Sequence, residues 1–300
     1  MGNKFRRMLV ATLIGLVIGA ALTPVFVTEG ALHIVTRPRP ESAAADNIAR
    51  NGATWEAARV TTTDGAVLDG WLFTPRQPNG SGVILLHGVG DTRAGMAVHA
   101  TSLLRAGFTV LAPDSRGHGA SGGSPLTYGI RESADVHAWA DWLMRTRPIE
   151  RLYGLGESMG AAILLQSLDR EPRFRAVVAE CPFDTFEDVA YYRLQRASKL
   201  GRWAAWPVVQ FGMLYTRLIY GVDLHRASPT AAIRSAHIPI LLIHGTSDVN
   251  IPPSQSMALH GLNPQWTELW LVPGAYHVAA VDAQRREYIR RVTDWFQSHL

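Results

Sequence analysis

One stretch constrains this chain more than any other. A strand-like run, Arg151-Leu152-Tyr153-Gly154-Leu155, leads into Gly156-Glu157-Ser158-Met159-Gly160, and a helix-like run from Ala161 to Leu168 follows. A chain that passes from strand to helix in so few residues must turn sharply. Side chains two positions before and two after the central serine would collide in such a turn, which explains Gly156 and Gly160. The turn pushes the Ser158 hydroxyl out beyond the end of a sheet. It also sets the N-terminus of the following helix, with its free N–H groups, beneath the hydroxyl. Alone the pattern is weak, since at ordinary glycine usage it recurs by accident in roughly one chain in ten of this length. Its weight depends on the partners that the rest of the chain supplies.

A chain of 300 residues, 47% of them hydrophobic, suffices for one large domain with a substantial core. Cys181 is the single cysteine, which excludes an internal disulfide and a Cys-based zinc site. Lys4, Arg6 and Arg7 supply three of the four units of formal net charge. No basic run with interleaved aromatics occurs in the body of the chain, so nucleic acid is not an expected partner.

The N-terminus reads as a separate object, residues 1–30. Three basic residues precede Met8 to Val27, a stretch without charge in which only Thr12 and Thr23 are polar. About twenty apolar residues as a helix reach across the ~30 Å core of a bilayer. A secretory signal has a shorter apolar core, about 7–15 residues, and an A-x-A-like site, for which Thr28-Glu29-Gly30 is a poor match. A retained transmembrane anchor is therefore favoured over a cleaved signal, which would give a secreted protein. Lys4, Arg6 and Arg7 favour a cytoplasmic N-terminus with the domain on the far side, a bias that Arg37 and Arg39 weaken. Residues 31–55, with Pro38, Pro40 and Ser42-Ala43-Ala44-Ala45, read as a linker.

From residue 56 onward the pattern is regular. Runs at 58–62 and 67–73 alternate around Asp64-Gly65, the signal of a hairpin. Buried-strand runs at 82–86, 109–112, 151–155, 175–179, 240–243 and 268–272 then alternate with helix-like segments such as 130–146 and 282–300. Strands alternating with helices imply an α/β fold: a mostly parallel sheet covered on both faces, with its chemistry outside the carboxyl ends of the strands.

Three such ends carry complementary groups. Ser158 follows one strand, Asp248 lies in the turn after Ile240-Leu241-Leu242-Ile243, and His277 lies past Leu269-Trp270-Leu271-Val272. A serine hydroxyl is a poor nucleophile until an imidazole takes its proton. The imidazole must in turn be held in one tautomer, and stabilised as a cation, by a carboxylate. The order Ser…Asp…His is the one that a strand-to-helix nucleophile elbow requires. The glycine-rich turn His87-Gly88-Val89-Gly90 ends another strand, so the Val89 and Met159 N–H groups are candidate oxyanion donors. His87 and His118 read as loop residues. Asp114, Arg116 and Ser121 read as holding the Gly-rich loop 112–121 in shape. Neither a metal cluster nor a G-x-G-x-x-G nucleotide-binding unit is present in the spacing, so no metal or cofactor is expected.

Taken together these motifs resemble the α/β-hydrolase superfamily, and within it the serine aminopeptidase-like group that includes monoacylglycerol lipases. The resemblance is carried by Asp64-Gly65, His87-Gly88, Asp114 to Ser121, Gly156 to Gly160, Cys181-Pro182-Phe183, Ile243-His244-Gly245 with Asp248, and Gly274 to His277. It spans residues 56–300. It implies an eight-stranded sheet whose second strand is antiparallel, and a small helical cap over the site at about 184–237. Ser at the nucleophile position sets aside the dehalogenases and epoxide hydrolases, which use Asp.

The cap stretch is rich in aromatics, with Tyr191, Tyr192, Trp203, Trp206, Phe211, Tyr215 and Tyr220. With His87 and Phe183, the residues Tyr191, Trp203 and Trp206 are the candidate substrate contacts, suited to an acyl or aromatic group. The expected activity is hydrolysis of a carboxylic ester, with a lipid-like acyl ester as the expected partner, through an acyl-enzyme on Ser158. Aminopeptidase, amidase or thioesterase action on the same three residues is the alternative. A catalytically silent, membrane-tethered binding module is the alternative of another class.

Overall fold

The β-branched and leucine-rich runs become eight strands of one sheet: β1 (Ala53–Thr61), β2 (Val67–Pro75), β3 (Ser81–Leu86), β4 (Thr109–Pro113), β5 (Arg151–Glu157), β6 (Phe174–Glu180), β7 (Ile240–Gly245) and β8 (Thr267–Val272). This is a computed structural model, and it describes residues 2–34, 41–50, 52–198 and 201–300. The strand order is β1-β2-β4-β3-β5-β6-β7-β8. Only the pairs β1·β2 and β2·β4 are antiparallel, so β2 alone runs against the rest. The β1–β2 hairpin closes at Asp64-Gly65, where Thr62 N–H donates to the Ala66 carbonyl at 2.9 Å.

Alternation along each strand divides the core in two. Ile84, Leu86, Leu111, Leu152 and Val177 face the helices Glu132–Thr146 and Met159–Ser167. Val83, Leu85, Val110, Tyr153 and Val178 face the helices Ala97–Arg105 and Arg285–Gln297. Tyr288, Val292 and Phe296 are the buried face of the last helix. Between β6 and β7 the chain leaves the sheet to form a cap of helices Phe186–Ser198 and Arg202–Tyr220, followed by the short helix Thr230–Ser235. The long cap helix ends at Gly221, whose φ of 65° is the left-handed conformation that a side chain disfavours.

Two expectations for the N-terminal region need correction. Within the stretch read as a linker, Glu41–Ala49 is a helix. Ala45 and Ile48 are buried against the second face, and Trp55 Nε1 donates to Asp46 at 2.8 Å. Alanine is the strongest helix former, and Ile48, three residues after Ala45, provides the contact. Pro38 and Pro40 lie outside the described residues.

The helix Asn3–Leu32 contains Met8 to Val27 as expected, with Pro24 inside it. Among the described residues, however, no helix is long and apolar enough to cross a membrane. The transmembrane expectation is thus unsupported, and the side chains at positions 14–18, 20 and 21 lie outside the described residues. The end of this helix also departs from the reading of a separate anchor. Thr28 and Leu32 are buried, and Leu32 belongs to the core of the domain.

Candidate active site

The sheet order reverses at β3: its successor β4 lies on one side, while β5 lies on the other. Loops leaving such a pair diverge and open a crevice at the carboxyl ends of the strands. Both loops here carry the motifs in question. Ser158 adopts φ 52° and ψ −114° between β5 and the helix Met159–Ser167. This is a strained conformation for a residue with a side chain. It is held by Ser158 N–H donating to the Glu180 carbonyl at 2.8 Å. A Cβ on Gly156 would stand 2.5 Å from the Gly160 carbonyl oxygen, and one on Gly160 would overlap the Leu86 carbonyl. The two glycines are thus required by close backbone approach.

The Ser158 hydroxyl lies 2.8 Å from Nε2 of His277, and Nδ1 of His277 lies 2.6 Å from Oδ2 of Asp248. A carboxylate only accepts, so Nδ1 carries the proton and Nε2 is left to accept from the hydroxyl. Val278, next in the chain, has φ 52°, a second strained position that fixes the loop. Asp248 has no exposed side-chain surface. Burial pushes its carboxyl upward, but contacts from His244 and His277, with N–H donation from Ile251, hold it well below the usual range. It is a carboxylate at neutral pH. His244, whose Nε2 lies 3.2 Å from Asp248 and donates to the Ile251 carbonyl at 2.9 Å, is a partner of the acid that sequence reasoning left without a role. Its place at the end of β7, four residues before Asp248, was the available signal.

The loop after β3 comes over the serine: a Cβ on Gly88 would sit 3.4 Å from Ser158 Cβ. Val89 follows it, and Met159 opens the helix, where an N–H has no partner one turn earlier. Both line the same cavity as Ser158. His87 and His118 brace this loop. His87 Nδ1 donates to the Gly88 carbonyl at 2.8 Å, while Nε2 accepts from Ser115 N–H at 2.9 Å. His118 Nδ1 contacts the Arg116 carbonyl, and its Nε2 accepts from Gly90 N–H at 3.3 Å. Burial, with the neighbouring His118, lowers His87 to about 4, so it is neutral and structural.

The cavity beside Ser158 has a volume of about 480 Å³. Among the described residues its wall is apolar apart from Thr28, Tyr128, Arg193 and Ser158 itself, and no carboxylate lines it. Phe183 lines it, with Phe186, Val209 and Met213. The other candidate substrate contacts do not. His87 is buried behind the loop. Tyr191 is buried within the cap and accepts from Gln210 at 2.9 Å. Trp203 and Trp206 are 84% and 58% exposed on the far face of their helix. A larger hollow near Asp64, Arg116 and Asp141 contains none of Ser158, Asp248 or His277.

Among the described residues, two groups bring metal-ligating atoms close together: Cys181 with His244 and Asp248, and His99 with Glu157 and Glu180. His244 uses its nitrogens on Ser256 and Ile251, and Tyr288 donates to Glu180 at 2.7 Å.

Known proteins resemble this chain in sequence and in fold. The model of the family described as "Serine aminopeptidase, S33" matches residues 77–218. An uncharacterized protein of Mycobacterium tuberculosis, Rv2307c, is 30% identical over 73% of this chain and 70% of its own length. The chain belongs to the serine aminopeptidase-like group of α/β-hydrolases. A monoacylglycerol lipase of Mycolicibacterium smegmatis is 27% identical over 76% of this chain and 92% of its own length. The esterase Pf2001 of Pyrococcus furiosus shares the fold with a TM-score of 0.73, at 24% identity over 89% of this chain and 98% of that one. The family match ends inside the cap. In this α/β-hydrolase the acid and the imidazole therefore come from strands beyond it.

Proposed function

We propose that this α/β-hydrolase cleaves carboxylic esters of apolar acyl groups through an acyl-enzyme on Ser158. The observation that carries this reading is the continuous contact from the Ser158 hydroxyl through His277 to the Asp248 carboxylate, opening on an apolar cavity. His277 accepts the hydroxyl proton as Ser158 attacks the carbonyl and returns it to the leaving alcohol. Asp248 orients the ring and stabilises its cation. The Val89 and Met159 N–H groups donate to the oxygen on which charge develops. Water then repeats the sequence and releases the acid.

An ester is favoured over a peptide because an aminopeptidase must hold the substrate ammonium group, and among the described residues the cavity wall offers no carboxylate for it. A fluorophosphonate tests the nucleophile: it should label the wild type and not Ser158→Ala. That variant should also lose about 10³-fold or more of its p-nitrophenyl ester hydrolysis. A folded wild type that takes no label would instead favour the silent binding module.

The same reading keeps the protein at a membrane through its N-terminal helix, with Lys4, Arg6 and Arg7 on the cytoplasmic side. Its support is the uncharged stretch Met8 to Val27. The exposed apolar side chains of Met8, Leu9 and Leu13, with Leu218 and Ile219 on the cap, add to it.

A further inference from the structure

The N-terminal helix does more than precede the hydrolase domain. Val27, Thr28, Gly30, Ala31 and Leu32 in its last turns, and Ile34 beyond them, line the same cavity as Ser158. Two hydrogen bonds fasten this end to the loop before helix Glu132–Thr146: Leu126 N–H donates to the Leu32 carbonyl at 3.1 Å, and Tyr128 Oη to the Ala31 carbonyl at 2.7 Å. A third attachment joins it to the cap. Glu29 accepts from Tyr215 and Tyr220, each at 2.8 Å through Oε1, and its Oε2 lies 3.0 Å from His33 Nδ1. The two phenols hold the Glu29 carboxyl below the usual range, so the latch is an anion at neutral pH. The helices also approach closely: a Cβ on Gly212 of the cap helix would stand 2.6 Å from Thr28 Oγ1.

We propose that residues 27–34, latched to the cap through Glu29, form a specificity-determining wall for the acyl chain of the substrate. The preference for longer apolar acyl groups then depends on a segment outside the matched family region, and the segment stays attached in the working enzyme. A cleavage at Thr28-Glu29-Gly30 would remove Val27 and Thr28 from the cavity wall and break the chain at the latch. This wall rests on the ester-hydrolase reading.

The test compares kcat/KM for p-nitrophenyl octanoate and p-nitrophenyl acetate in the full chain, in A31W and in the pair Y215F/Y220F. Fluorophosphonate labelling of Ser158 reports that each variant is folded. A31W puts an indole into the wall, and the octanoate-to-acetate ratio should fall about tenfold or more, the scale at which apolar pockets discriminate chain length. Y215F/Y220F keeps both rings but removes the latch donors, and the ratio should fall in the same direction. Should A31W fail to label, the tyrosine pair alone decides. Ratios within about twofold of wild type in every labelled variant overturn the wall and leave the hydrolase reading standing. A labelled wild type that cleaves neither ester overturns the ester reading, and the wall with it.

Discussion

Directly behind the nucleophile, Glu157 and Glu180 occupy one buried pocket. Tyr288 donates to Glu180 at 2.7 Å, Ala280 N–H donates to the same carboxyl at 3.1 Å, and His99 lies 3.4 Å from Glu157. Burial, together with the charge on Glu180, pushes Glu157 well above the usual carboxyl range. Burial also lowers His99 to about 4, so it brings no compensating cation. A carboxyl raised in the folded state contributes stability that is fully present below its unfolded pKa. That stability is lost as pH rises through the folded value. Glu157→Gln cannot ionise, so its Tm advantage over wild type should widen from pH 4.5 to pH 8. Each ~1 kcal/mol of relief is worth roughly 2–4 °C in a domain near this size. Thermal melts across that range check it, and a gap that does not change with pH would remove the assignment.

At the scale of elements, Arg116 joins three parts of the chain. From the loop after β4 it donates to both oxygens of Asp135 on helix Glu132–Thr146, at 2.7 and 3.0 Å, and to Asp64 in the β1–β2 turn at 2.7 Å. Removing one member of a buried ion pair leaves the other uncompensated, at a cost of about 3–5 kcal/mol. Arg116→Ala should lose that much in urea unfolding, and Arg116→Ala with Asp135→Leu should recover part of it. A loss below ~1 kcal/mol for the single variant contradicts the tie.

The strands, the hairpin and the Ser158 turn were legible because each rests on local rules: period-two alternation, turn glycines and steric exclusion at Gly156 and Gly160. Ser158, Asp248 and His277 were legible because each follows a recognisable strand. Which face of the cap turns inward was not. Ala205, Val209, Met213 and Thr216 form the buried line of the long cap helix at spacings of three and four, while the larger Trp203 and Trp206 face outward. Side-chain size pointed to the tryptophans, but the direction is fixed by a partner helix nearly two hundred residues earlier in the chain. The same distance hid the Glu29 contacts with Tyr215 and Tyr220.

For the whole molecule, the N-terminal helix and the long cap helix pack together, and their outer faces expose Phe26, Leu218, Ile219 and Trp203. Surface of that kind on two adjoining helices is expected to rest against lipid. The full chain should float with phospholipid vesicles in a sucrose gradient, and recovery of all the protein in the lipid-free fractions would end the membrane proposal. Intact mass of the purified protein should retain residues 1–34.

Because the end of the N-terminal helix lines one side of the cavity, trimming this helix for convenience in expression is a change to the enzyme as well as to its solubility. A shortened product beginning at β1 would lack the side of the cavity that Val27, Thr28, Gly30, Ala31, Leu32 and Ile34 line in the native chain. Substrate surveys made on it would describe a different site.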